Sequence, residues 1–415
     1  MHGLIDKIGQ YRHRFFEKVM FSLQLKRAMN AMYRRLYKDG RMDLQGVVNG
    51  NHSDSLVAFN LQYMTFYEHV CDIAKYLDTE TQYTSVFISP TRKPEKPYKV
   101  ATYDFLQKQG ITLGSNLVEN PWLKHLAPVA FIETAISGYS AEVTCPKIIY
   151  THGMGGLNFS KDLSYIKYVS RYDGIFLNGP LQRMALIAAQ KKYGGTLPEM
   201  YEVGYIRGDS LINMEYTFDT IEFIKQLGLD LRPTVLFAPT WGKFSATRDW
   251  IDDVVRVCNE LDLNLLLRLH PILLTGKSVY ETGGVDWNQK VKVILAQNKN
   301  VRFVNSYKCE EVMLASTVML TDVSGMAMEY MVLDRPVVFL PCKLYFDLYG
   351  SDRPEAWCRH DTEITSYYDL KREISKALVS KSGIIPTEKL IFNRGRSIAS
   401  FHGALEDVIR KAGCR

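Results

Sequence analysis

A chain of 415 residues, with 46% hydrophobic and 23% charged residues, has a globular composition and exceeds the size that one hydrophobic core normally serves. This composition excludes fibrous and intrinsically disordered classes and predicts two domains. The formal net charge of +6 is mildly basic, which suits anionic partners such as nucleotide phosphates or an acidic membrane surface but requires neither.

The cysteine content indicates the cellular setting. The seven cysteines are odd in number and scattered, and no Cys-x-x-Cys pair occurs, so neither a disulfide framework nor a zinc site is expected. No apolar run is long enough to span a bilayer, and the first residues lack the apolar core of a signal peptide. We therefore expect a cytoplasmic protein, for which a peripheral position on the inner face of the cell membrane is open.

Residues 1–41 form a basic segment unlike the rest of the chain. Lysine and arginine recur there among aromatic residues and methionines, and neither proline nor glycine interrupts residues 11–39, which predicts a helical N-terminus. Such a helix fits an anionic membrane surface, and it equally fits a helix that packs on the core with its charges in water. A nucleic-acid partner is not expected, because no recognition module accompanies these charges.

Short apolar strands alternate with helical patterns between residues 84 and 193, which predicts βαβ units and a parallel, doubly wound sheet. The predicted strands cover 84–89, 127–132, 147–151 and 174–177, and the predicted helices cover 103–109 and 181–193. The next connection contains Gly204 and Gly208 and leads out of this pattern. We place the domain boundary there, so that residues 1–205 form the N-terminal domain.

The second half repeats the alternation with near-continuous apolar runs, which are typical of strands buried on both faces. The predicted strands cover 234–238, 264–269, 301–304, 318–321 and 336–340, and the predicted helices cover 249–261, 310–315, 326–333 and 397–412. We assign residues 206–395 to a second domain and 396–415 to a C-terminal helix. Two such domains in tandem enclose a cleft, and ligands of these sheets bind at the carboxyl ends of the strands.

Two strand ends carry groups suited to such a ligand. His152 and Gly153 lie on a glycine-rich loop, where backbone can approach a ligand and an imidazole can accept a proton, although a tight turn with a capping histidine has the same pattern. Thr240 and Trp241 follow a strand of the second half with a hydroxyl and an indole, and a structural tryptophan is equally compatible there.

The next two strand ends suit phosphate. His270 precedes a proline that favours extended backbone, so it is either a phosphate contact or a structural histidine. The turn after residue 321 offers free N–H groups at a helix start, which suits a phosphate, whereas an ordinary helix cap is the alternative. Its residues are Asp322, Ser324, Gly325 and Met326, followed by Glu329, which is either a ribose contact or an exposed carboxylate. Because no G-x-G-x-x-G, P-loop or H-E-x-x-H motif occurs, we expect no cofactor and no metal.

Together these motifs resemble the CDP-glycerol glycerophosphotransferases, the teichoic-acid primases and polymerases, which are related to capsule polymerases of the GT-B fold. The resemblance covers residues 145–345 and rests on the motifs at 152–153, 238–241, 268–271, 321–330 and 335–336 and on a Gly-x-x-Arg-x-Asp segment that contains Arg207 and Asp209. It implies an α/β GT-B fold of two Rossmann-like domains facing a cleft, with the C-terminal helix crossing back. Residues 1–205 would then be the acceptor-side domain and residues 206–395 the nucleotide-donor-binding domain.

The resemblance also implies roles. His152 would be the general base, and His270 would contact the donor diphosphate. The donor would lie against Thr240, Trp241, Asp322, Ser324, Gly325, Met326 and Glu329, and Gly153, Arg207 and Asp209 would line the cleft. The implied partners are a nucleotide-activated donor and a lipid-linked or polymer acceptor, with residues 1–41 as a membrane contact. The expected reaction transfers glycerol phosphate, or a related polyol phosphate, in teichoic-acid or capsule synthesis.

The sequence departs from the family pattern at two places that bear on the donor. Residues 151–154 read Thr-His-Gly-Met where the family commonly has Trp-His-Gly-Thr, and Gly325 replaces a second serine or threonine. Three alternatives therefore stay open: a GT-B glycosyltransferase that uses a CMP- or UDP-linked sugar, a nucleotide-sugar isomerase or epimerase, and a non-catalytic membrane-binding scaffold.

Overall fold

The computed structural model describes residues 55–61, 64–89, 117–119, 128–134, 143–151, 153–154, 163–276, 278–306, 308–350, 359, 364–380, 383, 385 and 389–413. The helical segment predicted within residues 1–41, the helix predicted at 103–109 and the side chain of His152 lie outside these residues.

The first half of the described chain forms a parallel sheet of seven strands in the order β3-β2-β1-β4-β5-β6-β7. These strands are β1 Leu56–Asn60, β2 Thr84–Ser89, β3 Leu117–Glu119, β4 Ala130–Glu133, β5 Lys147–Tyr150, β6 Gly174–Leu177 and β7 Glu199–Glu202. Its helices are α1 Met64–Glu80, α2 Leu163–Val169 and α3 Pro180–Tyr193. The alternation from residue 84 onward therefore predicted a parallel sheet correctly.

Strands β1, β3 and β7 of this sheet were not predicted. β1 is buried along its whole length and pairs with both β2 and β4, so it lies inside the sheet although it is only five residues long. β7 pairs with β6 alone at the edge, and its sequence Glu-Met-Tyr-Glu has polar ends. A short apolar run and a half-polar edge strand give weak sequence signals, and both are strands here because their neighbours complete the pairing.

The second sheet is also parallel and has the strand order β10-β9-β8-β11-β12. Its strands are β8 Thr234–Phe237, β9 Asn264–Leu267, β10 Val301–Phe303, β11 Val318–Thr321 and β12 Val337–Phe339. The helices from residue 206 onward are α4 Ile206–Glu215, α5 Thr220–Gln226, α6 Thr247–Glu260, α7 Pro271–Thr275, α8 Val279–Thr282, α9 Trp287–Gln297, α10 Cys309–Leu314, α11 Met326–Met331, α12 Lys343–Tyr349, α13 Tyr367–Val379 and α14 Ser397–Gly413, with a 3-10 turn at Gly242–Phe244. Each strand predicted in this half is present.

The strand order places a ligand crevice in the second sheet. From β8 the chain runs outward through β9 to β10, and then it crosses back to the other side of β8 to form β11 and β12, so the strand order reverses at β8. In open α/β sheets the crevice outside the carboxyl ends at such a switch point is where ligands bind. The residues directly after β8, β9 and β11 therefore border that crevice, and these are the predicted polar stretches at residues 240, 270 and 322.

The C-terminal helix α14 returns to the first sheet, as the GT-B expectation requires. Phe401, Leu405 and Val408 are almost fully buried and pack in one apolar cluster with β1, β4, β5 and β6. The Phe401 ring lies edge-on to Tyr150, with 5.5 Å between the ring centroids. The chain thus crosses between the two sheets twice, once before α4 and once before α14.

Candidate active site

Asp322 joins the two loops that border the crevice of the second sheet. It follows β11 and is fully buried, and its carboxylate accepts hydrogen bonds from the backbone N–H of Thr240 at 2.7 Å and of Ala246 at 2.9 Å. Burial raises the pKa of Asp322, and the backbone hydrogen bonds oppose that shift. Its oxygens thus hold the loop that carries Thr240 and Trp241, so Asp322 contributes to the crevice by fixing this loop.

The turn that follows Asp322 presents a helix start to the crevice. The Oγ of Ser324 accepts from the backbone N–H of Met326 at 3.4 Å, and α11 begins at that residue. Gly325 is exposed with a φ of −59°, and a Cβ added there would meet nothing within 4 Å in the described part of the chain. The backbone therefore does not need glycine at this position, and a hydroxyl-bearing side chain would fit.

The cap contact and the burial of His270 keep its imidazole neutral and make it a hydrogen-bond donor. It caps α7, where its Nδ1 accepts from the backbone N–H of Ile272 at 3.2 Å, so Nδ1 carries no proton. Burial lowers the pKa of His270 to about 4. At neutral pH the imidazole is therefore uncharged and carries its proton on Nε2, which suits a directed hydrogen bond to a phosphate oxygen rather than a charge–charge contact.

Aromatic rings line the crevice beside His270. The Trp241 ring lies 5.9 Å from the imidazole and 6.1 Å from the Tyr280 ring, centroid to centroid. Tyr280 lies edge-on to Phe244, and the Lys243 ammonium is 5.6 Å from the Tyr280 ring centre. Trp241 is thus part of an aromatic group, of a kind that can stack against a planar base. Tyr280 and Phe244 were missed because neither follows a strand.

An ionic cluster around Arg207 joins the two halves of the chain. The Nε of Arg207 donates to Glu310 at 2.6 Å, while Nη2 lies 3.5 Å from Glu68 and Nη1 lies 3.8 Å from Glu329. Nη1 also lies 3.4 Å from Nε2 of His69. Glu68 and His69 belong to α1 of the first half, whereas the other two carboxylates belong to the second. Only Arg207 and Glu329 were predicted, because the remaining members lie far apart in the sequence.

The three carboxylates differ in how they respond to Arg207. Burial raises the pKa of Glu310, but the Arg207 charge and hydrogen bond outweigh this effect, so the pKa lies below its ordinary value. For Glu329 burial raises the pKa more than Arg207 lowers it, and the nearby Glu310 adds to the rise. Burial also raises the pKa of Glu68 more than Arg207 lowers it. Glu310 is therefore the principal counter-ion of Arg207, whereas the pKa values of Glu329 and Glu68 lie above the ordinary value.

Glu329 faces the glycine loop of the first half. Gly153 has a φ of +76°, and a Cβ built on it would lie 3.8 Å from Oε1 of Glu329. The positive φ explains the glycine at this position. The structure therefore brings Gly153, Arg207 and Glu329 together between the sheets, and the ribose role of Glu329 stays a prediction.

Asp209 lies on the same helix as Arg207 but serves the chain crossover. It is 8% exposed, and its two oxygens accept from the backbone N–H of Gly395 at 2.7 Å and of Ser397 at 2.9 Å. Both bonds fix the start of α14. The predicted cleft residue Asp209 thus uses its carboxylate for the return of the chain to the first sheet.

Neither a metal site nor a membrane-spanning helix occurs among the described residues. No group of three or more His, Cys, Asp or Glu residues within these ranges has a geometry that could hold a metal ion. Among the same residues, no helix combines the length and the apolar character that a membrane crossing needs.

One family model matches the middle of the chain. Residues 157–354 match the family model described as CDP-Glycerol:Poly(glycerophosphate) glycerophosphotransferase. This range contains Arg207, Trp241, His270, Ser324 and Glu329 and begins after the loop of His152 and Gly153. No curated protein matches the chain.

Solved structures show the architecture. The wall teichoic acid polymerase TagF matches with a TM-score of 0.54 and 16% sequence identity, over 94% of this chain and 98% of the TagF chain. A putative UDP-N-acetylglucosamine 2-epimerase from Listeria monocytogenes matches with a TM-score of 0.56 and 12% identity, over 86% of this chain and 97% of its own. The UDP-GlcNAc 2-epimerase from Neisseria meningitidis matches with a TM-score of 0.53 and 10% identity, over 85% and 100%. At these identities the matches show the fold alone, and the fold is of the GT-B type. The chain is therefore a GT-B transferase that carries a domain of the CDP-glycerol:poly(glycerophosphate) glycerophosphotransferase family.

Proposed function

We propose that the chain transfers glycerol phosphate from CDP-glycerol to a hydroxyl group of a lipid-linked or polymer acceptor in the synthesis of a cell-surface polymer. The observation that carries the proposal is the convergence of Trp241, His270 and the Ser324 turn at the switch point of the second sheet, inside the range that matches the glycerophosphotransferase family. A crevice with aromatic rings, a neutral hydrogen-bond donor and a helix start has the groups that a nucleoside diphosphate needs.

In the proposed reaction an acceptor oxygen attacks the β-phosphorus of CDP-glycerol. A bond forms between that oxygen and phosphorus, and the bond from the same phosphorus to the bridging oxygen breaks, so that CMP leaves with the electron pair. The acceptor proton passes to the imidazole of His152. The products are CMP and an acceptor extended by one glycerol phosphate.

His270 and the Ser324 turn act on the leaving group in this proposal. Negative charge grows on CMP as the bond breaks, and fixed donors aimed at it lower the barrier. The Nε2–H of His270 and the hydroxyl of Ser324 are such donors, and the cap that His270 forms on α7 already fixes its imidazole. Residues 1–41 would bring the enzyme to a membrane that displays the acceptor, on account of their basic, apolar pattern.

The test measures donor binding and turnover separately. CDP-glycerol at a hundred times its dissociation constant should stabilise the protein by about 2.7 kcal/mol, whereas UDP-N-acetylglucosamine and CMP-linked sugars at the same concentration should not. CMP release from CDP-glycerol should require an acceptor, and His152→Ala should slow it by about 10²–10⁴-fold while leaving the thermal shift intact.

Each competing function gives a different result in the same assays. Stabilisation and nucleotide release with a sugar nucleotide would replace this proposal by a glycosyltransferase. Conversion of UDP-N-acetylglucosamine without an acceptor would replace it by an epimerase. Liposome binding through residues 1–41 with no stabilisation by any nucleotide would replace it by a scaffold.

A further inference from the structure

Two buried amide side chains lie directly beside the loop of His152. Asn178 follows β6 and is 0% exposed, and Gln182 lies in the first turn of α3 and is 1% exposed. Strands β5 and β6 are paired neighbours, so the residues after their carboxyl ends meet at one edge of the sheet. Neither amide was among the predicted site residues.

The two amides bind the backbone on both sides of position 152. The Nδ2 of Asn178 donates to the carbonyl of Thr151 at 3.1 Å and to that of Gly153 at 2.8 Å. The Nε2 of Gln182 donates to the same Gly153 carbonyl at 3.1 Å and to Oγ1 of Thr151 at 2.9 Å. Four hydrogen bonds therefore fix the residues that precede and follow His152 in the chain.

The orientation of both amides follows from their partners. Carbonyl oxygens accept only, so the NH₂ group of each amide has to face the loop. The Oε1 of Gln182 in turn accepts from the backbone N–H of Asn178 at 2.7 Å, which locks the two residues to each other. Aspartate at position 178 or glutamate at position 182 would place an acceptor oxygen opposite these carbonyl oxygens, so the hydrogen bonds to the loop could not form.

The second polar atom of the Asn178 amide does not explain why this residue is present. Its Oδ1 is buried and has no hydrogen-bond partner among the residues that the structure describes. An apolar side chain would lack this oxygen but could not donate to the two carbonyls. The amide at this position is therefore explained by the two hydrogen bonds that its NH₂ group donates to the loop.

We propose that Asn178 and Gln182 are positioning residues, which fix Thr151 and Gly153 on either side of position 152 so that His152 meets the acceptor hydroxyl. The proposal deepens the proposed function and rests on it for the role of His152. A displacement of about 1 Å of a catalytic group can cost about 10²-fold in rate, and backbone fixed on both sides of a residue limits such a displacement. The amides do not border the crevice of the second sheet, so donor binding does not depend on them.

The test compares Asn178→Ala and Gln182→Met with the control Asn264→Ala. Asn264 is an equally buried amide (1% exposed) that donates to the carbonyl of Asp230 at 2.8 Å, at the amino end of β9 and away from the cleft. For each variant, kcat and KM for CDP-glycerol are measured, together with the rate of diethylpyrocarbonate modification at His152 by peptide mass spectrometry. The second readout does not depend on turnover.

We expect kcat to fall about ten- to a hundredfold in Asn178→Ala and Gln182→Met, with KM for CDP-glycerol within twofold of the wild type. The modification rate at His152 should change at least about threefold in both variants, because loss of the hydrogen bonds alters the position of the loop. Asn264→Ala should leave both readouts unchanged.

A folded variant with kcat within twofold and an unchanged rate at His152 would overturn the proposal. If Asn178→Ala does not fold, Gln182→Met decides, since methionine keeps the length of glutamine without its donors. If the wild type does not turn over CDP-glycerol but the rate at His152 still changes in both variants, the proposed function fails and the positioning role stands.

Discussion

The protonation of His270 makes the stability of this protein depend on pH in a calculable way. Its pKa is lowered to about 4 by burial, against an ordinary value of 6.5. The unfolded chain therefore takes up the proton first as the pH falls. The contribution of His270 to stability is complete above pH 6.5, declines between pH 6.5 and 4, and changes no further below that. Linkage gives a loss of about 2 kcal/mol at pH 5 relative to pH 7.5.

The replacement His270→Asn isolates this effect. Asparagine is a good N-cap residue and offers an oxygen to the Ile272 N–H in place of Nδ1, so the start of α7 keeps its cap. The asparagine side chain of the variant takes up no proton between pH 7.5 and pH 5. Urea unfolding at pH 7.5 and at pH 5 should therefore show that the wild type loses about 2 kcal/mol more than the variant between the two conditions. An equal loss in both proteins would refute the assignment of a buried, neutral His270.

The neutral state also predicts how the donor binds. An uncharged imidazole that donates through Nε2–H keeps the same charge from pH 6 to pH 8, so its contact with the diphosphate should not vary across this range. Protonation of His270 should then change the dissociation constant of CDP-glycerol by less than about twofold between pH 6 and pH 8, as measured by calorimetry. A steep weakening that disappears in His270→Asn would show that the histidine binds the donor as a cation.

Three other replacements test the remaining groups of the site. Asp322→Ala should lower the free energy of unfolding by about 3–5 kcal/mol, because the N–H groups of Thr240 and Ala246 lose the buried carboxylate that accepts from both, and urea unfolding measures this loss. The same variant should lose stabilisation by CDP-glycerol in a thermal shift assay. Asp209→Ala should increase hydrogen exchange at Gly395 and Ser397 at least about tenfold, since their N–H groups lose the carboxylate, and unchanged exchange would count against this. Gly325→Ser should change the free energy of unfolding by less than about 0.5 kcal/mol, because its Cβ meets no described atom, and a larger loss in urea would contradict the open geometry.

The strand ends of the second half could be predicted because the signals there are local. An apolar run followed by a histidine and a proline, or by a Ser-Gly turn, marks where a parallel strand ends and a helix begins. The positions of His270 and Ser324 just after strands β9 and β11 could therefore be predicted from a few neighbouring residues each. The strand order then brings both to the switch point of the sheet.

The groups that the sequence did not indicate are those whose partners are distant. Asn178 and Gln182 have the sequence pattern of a strand end and a helix start, and nothing local connects them with Thr151, which lies about thirty residues earlier. Glu68 and Glu310 are ordinary helical carboxylates until folding brings Arg207 between them. For Asp209 the resemblance suggested a cleft role, and its actual partners near residue 395 could not be found without the return path of the chain.

The two crossovers between the sheets are attached to each other, and this explains why Arg207 and Asp209 belong to one turn of α4. Gly204 lies on the first crossover with a φ of +105°, and a Cβ there would come within 2.4 Å of the Phe392 carbonyl and of the Ser397 Oγ on the second. The two passages therefore touch at a point where only glycine fits. Asp209 bonds them together just beyond that contact, and Arg207, two residues before it, binds Glu310 in the second half and approaches Glu68 in the first. A single helical turn thus connects the return of α14 to the charged groups of the cleft, which is why a short Gly-x-x-Arg-x-Asp segment serves both purposes.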